Sequence, residues 1–124
     1  MTAVVDASAV LIWLQDEPGS ELAETWLMEG VIGAANWSEV LQKVRQHGGQ
    51  ADAVALLLAS FGLQVEPVTR DDGAQAAAMW VAESPLSLGD RLCLALAQRL
   101  GVPAVTADAA WASVPGGPQL VLLR

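Results

Sequence analysis

Four carboxylates stand where this chain could do chemistry. Asp6 follows the apolar run TAVV, and Asp108 follows PAVTA. Asp90 lies in SLGDRLCLALA, where one acid and one arginine precede six consecutive apolar residues. Glu39 lies in NWSEVLQK, early in an amphipathic stretch. Gathered at one place, four such groups would hold hard divalent cations through oxygen, the ligand that Mg²⁺ and Mn²⁺ prefer. A site of that kind can activate a water and steady a phosphate leaving group by two-metal chemistry.

Each acid also has a purely structural use. Asp6 and Asp108 both immediately precede predicted helices, where an N-cap carboxylate accepts backbone N–H bonds and contributes roughly 0.5–2 kcal/mol. Ser87 and Asp90 form S-x-x-D, a capping box. Glu39 and Lys43 stand at i and i+4, a surface pair worth about 0.3–0.5 kcal/mol. At roughly 100° per residue, Glu39 lies opposite the stripe Trp37, Val40, Leu41, Val44, and so faces water or a wet cleft. Capping and ion binding are compatible.

The elements that must position these acids alternate. Strands are expected at 2–6, 31–35, 63–68, 103–107 and 119–123. Helices are expected at 7–15, 20–29, 36–48, 51–62, 71–84 and 88–101, with a short one at 108–113. Strands that are apolar along their length and separated by helices imply a parallel sheet covered on both faces. Ligands of such sheets gather at the carboxyl ends of the strands. The predicted architecture therefore puts Asp6 and Asp108 at one edge. No repeat, linker or low-complexity tract appears, and residues 1–124 read as one domain.

Composition narrows the function. Hydrophobic residues are 53% of 124 and charged residues 16%, as in a globular protein. The longest mostly apolar stretch, AVALLLASFGL at 53–63, falls well short of the roughly 20 residues a bilayer span needs. No basic residue precedes an apolar run at the N-terminus, so no secretory signal is read, and the cytoplasm is the expected location. One cysteine, Cys93, excludes an intramolecular disulfide and sits in an apolar run as a core residue. The net charge of −8, with 6 basic residues against 14 acids, predicts weak nonspecific affinity for nucleic acid. Two bound divalent cations would offset about half of that charge.

The segments VVDASAVLIWL, NWSEVLQK and SLGDRLCLALAQRLGVPAVTADAAW, in this order and spacing, closely resemble the PIN-domain ribonuclease toxins (VapC) of bacterial VapBC toxin–antitoxin pairs. SLGDRLCLALA followed by TADAAW carries the resemblance; D-A-S-A alone would not. The likeness implies a PIN-like three-layer α/β/α sandwich around a short parallel sheet. It implies an acidic quartet at Asp6, Glu39, Asp90 and Asp108, with Asp6, Asp90 and Asp108 holding metal and Ser8 and Thr106 as supporting hydroxyls. Mg²⁺- or Mn²⁺-dependent endonucleolytic cleavage of RNA would follow. So would a homodimer and a VapB-like antitoxin whose tail fills the groove, DNA being met only through that antitoxin.

Arg91, Arg45 and Lys43 are candidate RNA contacts; the alternative is a set of solvated helix charges, with Arg91 facing solvent beside Gln98. Trp13, Trp26, Trp37 and Trp80 are expected to pack in the core or an interface, Trp13 and Trp26 alternatively in the antitoxin groove. Trp111 is expected to pack the loop that carries Asp108. His47 is isolated, and Asp16, Glu17, Asp71 and Asp72 read as cap or loop charges. The competing function is a non-catalytic α/β binding module, either receiver-like or an inactive PIN-like partner. A receiver wants a lysine after the last strands, and the one lysine, Lys43, is early and helical. Neither G-x-G-x-x-G nor G-x-x-x-x-G-K-[ST] occurs, and Ser8 stands where a haloacid-type phosphatase wants a second acid.

Overall fold

The computed structural model describes residues 2–124. Five short strands, β1 (Val4–Val5), β2 (Val31–Gly33), β3 (Gln64–Glu66), β4 (Ala104–Thr106) and β5 (Leu120–Leu122), form one parallel sheet in the order β3-β2-β1-β4-β5. Val4 pairs with Val31 on one side and with Ala104 on the other, so β1 is the central strand. The chain leaves β1 toward β2 and β3 and returns on its other side as β4. The change of direction opens a crevice at the carboxyl ends of β1 and β4.

Six helices cover the sheet: α1 (Ala7–Leu14), α2 (Ser20–Leu27), α3 (Ala34–Gln46), α4 (Ala51–Ser60), α5 (Arg70–Ala78) and α6 (Leu88–Leu100). Alternating strand residues feed two cores. Val5, Ile32 and Val105 face Val10 and Ile12 of α1, Leu27 of α2, Val40 of α3 and Leu58 of α4. Val4, Val31 and Ala104 face Cys93, Leu94, Leu96 and Ala97 of α6 together with Trp111. The two-residue period of a strand thus builds the α/β/α layering, and α6 carries one face.

The expected elements are all present, with shorter strands and three changes. Helix α3 begins at Ala34, not Asn36, because extended Gly33 (φ −73°, ψ 152°) serves as its cap without a side-chain bond. Asn36 therefore lies inside the first turn, where it is buried. Helix α5 stops at Ala78 instead of running to Ser84. Glu83 takes a left-handed φ of 66°, and Pro85 bars Ser84 from helical backbone. The loop so formed leaves Trp80 63% exposed, so of the two expected places, core or interface, the core is ruled out. The segment after Asp108 is a 3₁₀ helix, Ala109–Ser113.

The other tryptophans do pack. Trp13 meets Phe61 edge-on at 5.0 Å, Trp26 and Trp37 lie against the first core, and Trp111 is 1% exposed beneath the loop that carries Asp108. No helix among the described residues is long and apolar enough to cross a membrane.

Candidate functional site

Asp6 ends β1 and caps α1, accepting the Ala9 N–H at 3.0 Å through Oδ1. It is 4% exposed. Two hydroxyls reach it: Ser8 Oγ donates to Oδ1 at 2.6 Å, and Thr106 Oγ1 donates to Oδ2 at 2.6 Å. The same hydroxyls accept from the chain beyond β4, Ser8 from the Ala107 N–H at 3.0 Å and Thr106 from the Asp108 N–H at 3.1 Å. Their orientation is fixed from both sides. Ser8 and Thr106 thus tie the first acid to the strand end that carries the last one.

Asp108 stands at the rim of this cluster. Its side chain is exposed and caps the 3₁₀ helix, accepting the Ala110 N–H at 2.9 Å. Asp90 sits at the third position of α6 in a complete capping box: Ser87 Oγ accepts the Asp90 N–H at 3.1 Å, and Asp90 Oδ2 accepts the Ser87 N–H at 2.9 Å. The capping expected of Asp6, Asp90 and Asp108 is therefore real at all three.

Glu39 is half-buried. The fully buried residues of α3 are Asn36 and Val40, whereas Trp37, Leu41 and Val44 are only half-buried. The buried line is thus turned toward Glu39 relative to the apolar stripe, because α6 packs there. Glu39 Oε1 lies against Gly89, in the space a Cβ would fill. The acid faces the first turn of α6, one residue from Asp90.

Electrostatics links three of the four acids. Burial raises the Asp6 carboxyl above its ordinary value, the Ser8 and Thr106 hydroxyls and the Ala9 N–H counter it, and the Asp90 charge adds to the rise. Glu39 is raised by burial, then by Asp90 and Asp6, with Lys43 opposing. Buried Cys93, on α6, is pushed well above the usual thiol range by burial and then by Asp6, Asp90 and Glu39 together. All three carboxylates thus act on one buried side chain.

Lys43 opposes only at a distance, and no described basic side chain pairs with these acids. Among the described residues the ion pairs are Arg99–Asp72 and Arg124–Glu17, neither involving these acids. The expected Glu39–Lys43 pair does not close. Like charges that converge with no ion-pair partner, all presenting oxygen, fit a hard divalent ion. They do not form a finished cage: among the described residues no three acidic, histidine or cysteine side chains approach closely enough to enclose an ion.

The basic candidates fare differently. Lys43 and Arg45 are exposed on α3. Arg91 is half-buried, not solvent-facing, and Nη1 donates to the Ala76 carbonyl at 2.7 Å, satisfying an orphan acceptor in the last turn of α5. Gln98 bonds Gln75 instead. Exposed His47 turns back on its own helix, Nδ1 lying 2.8 Å from the Lys43 carbonyl. Asp72 is a cap, as expected, but buried and gripped by Arg99 at 2.8 and 3.1 Å. Asn36 and Gly89, which touch this site, were not singled out by the sequence. The available signal was an amide three residues before Glu39 and a glycine just before Asp90.

Comparison with known proteins agrees with the layout. A family model described as the PIN domain matches residues 3–117. No curated protein matches the chain. Solved structures similar in fold include the following three. A toxin–antitoxin complex from Klebsiella pneumoniae aligns at TM-score 0.79 and 21% identity, covering 98% of each chain. VapC20 of Mycobacterium tuberculosis, a sarcin–ricin loop cleaving toxin, aligns at 0.71 and 20%, covering 92% of this chain and 96% of that one. VapBC2 from Rickettsia felis, bound to a DNA fragment from its promoter, aligns at 0.74 and 12%, covering 98% of each chain. The sheet order, the crevice at β1 and β4 and the matched span lead to one conclusion: the chain belongs to the PIN domain family.

Proposed function

We propose that this chain is the ribonuclease toxin of a VapBC-type toxin–antitoxin pair, cutting RNA phosphodiester bonds with Mg²⁺ or Mn²⁺. The observation that carries this reading is the meeting of Asp6, Glu39 and Asp90, none of them ion-paired, at the carboxyl edge of the sheet, with Glu39 seated against the residue before Asp90. Similarity of fold to VapC20 and to toxin–antitoxin complexes supports it. An antitoxin partner, a homodimer and DNA contact only through that antitoxin belong to the same proposal.

Asp6, Asp90 and Asp108 would hold the ion, with solvent completing its shell, since Mg²⁺ retains several waters. When bound, the cation supplies Lewis-acid stabilisation of charge on the phosphate and lowers the pKa of a water. The protein's part is legible in its own residues. Ser8 and Thr106 hold both oxygens of Asp6 in one orientation. The Ser87 N–H fixes one oxygen of Asp90 and leaves the other free. Glu39, raised by burial and by its acidic neighbours, is suited to orient the attacking water and accept its proton at a carboxylate oxygen. Lys43 and Arg45, exposed on the same helix, offer the RNA backbone the local positive charge that the chain as a whole lacks.

The test is cleavage of cellular RNA by the purified chain with Mg²⁺, with Mn²⁺ and with chelator, mapping the new 5′ ends. Parallel induction in cells would use Asp6→Asn and Asp90→Asn as controls. Discrete cuts that need the cation and both acids, together with growth arrest that the variants abolish, are expected. Cleavage by well-folded variants at the wild-type rate, or no cleavage with either metal, would overturn the proposal.

A further inference from the structure

Asn36 and Glu39, both on α3, each meet Gly89 of α6. Asn36 is 2% exposed, and its Nδ2 donates to the Gly89 carbonyl at 3.3 Å. Its Oδ1 is buried without a partner. An amide with an orphaned acceptor is an expensive choice for a core position, where an apolar residue of similar size would leave nothing unpaired. The one polar bond it makes is to residue 89.

Gly89 is as informative. It lies within α6, where alanine is the better helix former, and its φ is not in the left-handed region that would call for glycine. A Cβ there would collide with Glu39 Oε1, lie 3.3 Å from Glu39 Cδ and lie 3.7 Å from Ser87 Oγ. The missing methyl is the seat of the Glu39 carboxylate. Gly73, in α5, has nothing within 4 Å of the same built atom.

We propose that Asn36 and Gly89 are positioning residues for Glu39: Asn36 pins the backbone of residue 89 while the bare Cα of that residue receives the carboxylate. Asn36 and Glu39 are i and i+3 on α3, so one helix face grips a single residue of α6 from two directions. Because residue 89 precedes Asp90, the grip fixes the second acid relative to the third. Neither residue touches the substrate. The catalytic part of this inference rests on the nuclease reading; the grip itself does not.

The experiment compares Gly89→Ala, Asn36→Ala and the control Gly73→Ala in the wild-type chain, and Gly89→Ala again in a Glu39→Ala chain. Carbon-13 carboxyl spectra of the metal-free proteins report the seat directly. The Glu39 resonance should move in Gly89→Ala and stay in place in Gly73→Ala. In RNA cleavage, Gly89→Ala and Asn36→Ala should lower kcat at least tenfold with KM within threefold. Gly89→Ala should keep a melting temperature at or above wild type. In the Glu39→Ala chain, adding Gly89→Ala should change the residual single-turnover rate less than twofold. An unmoved Glu39 resonance, a Gly89→Ala kcat within twofold of wild type, or an equal loss without Glu39 would overturn the proposal. A wild-type chain that cuts no RNA would instead remove the nuclease reading, and the carboxyl spectra alone would then decide the grip.

Discussion

Thr106→Val isolates what one hydroxyl does for a buried carboxylate. Valine has nearly the shape of threonine, and Thr106 is fully buried, so packing is kept while one donor and one acceptor are lost. The donor is the 2.6 Å bond to Asp6 Oδ2. A hydrogen bond to a charged group contributes about 1.5–3 kcal/mol, against about 1 kcal/mol for a neutral one. The acceptor lost is that of the Asp108 N–H, which lies beside an exposed residue where water can replace it. The expected cost near neutrality is therefore about 2–3 kcal/mol, a fall in melting temperature of roughly 8–12 °C for a domain of this size.

The pH dependence is the sharper part of the test. Asp6 titrates higher in the folded chain than its ordinary 3.8, because burial outweighs its three donors. The proton it binds stabilises the fold fully below the unfolded value, and that contribution is lost as pH rises through the folded value. Removing Thr106 raises the folded value again. Wild type and variant should differ by only about 1 kcal/mol in acid, where the bond is neutral, and diverge toward neutrality. Urea unfolding from pH 4 to pH 8 would show this. A constant offset across that range, or no offset, would refute the argument.

Other consequences are as specific. Asp90→Asn keeps an oxygen for the Ser87 N–H, so its melting temperature should stay within a few degrees of wild type while RNA cleavage falls by at least about 10²-fold. Arg99→Met removes the fork on Asp72, whose carboxyl is held below its ordinary value chiefly by Arg99. Because Arg99 is 35% exposed, the cost at neutral pH should be only about 1 kcal/mol, fading as pH falls through the folded value of Asp72, below 3.8. Lys43→Ala and Arg45→Ala should each weaken RNA binding uniformly across sequences and reduce the slope of log affinity against log salt by about one, measured by fluorescence anisotropy.

The acids were readable because each obeys a local rule. Asp6 and Asp108 follow apolar strands and precede helices, and Ser87 with Asp90 has the spacing of a capping box. Local rules could not give the rotation of α3. Periodicity ranks apolar residues by their own faces, whereas α6 chose the line through Asn36 and Val40 and drew Glu39 inward. Arg91 was opaque for a related reason: its carbonyl partner, Ala76, exists as a free acceptor only because α5 ends early. The exposure of Trp80 follows from the same early end, which the apolar composition of 76–82 conceals.

Cys93 has a practical consequence. The sole thiol lies sealed in a floor of core between α6 and the sheet, and burial first, then the charges of Asp6, Asp90 and Glu39, disfavours the thiolate that alkylating agents and oxidants require. Labelling can proceed only when that floor lifts. The rate at which a dilute thiol reagent reacts with untouched protein is thus a built-in clock for opening of the core beneath α6, and any ion or partner that holds α6 against the sheet should slow it.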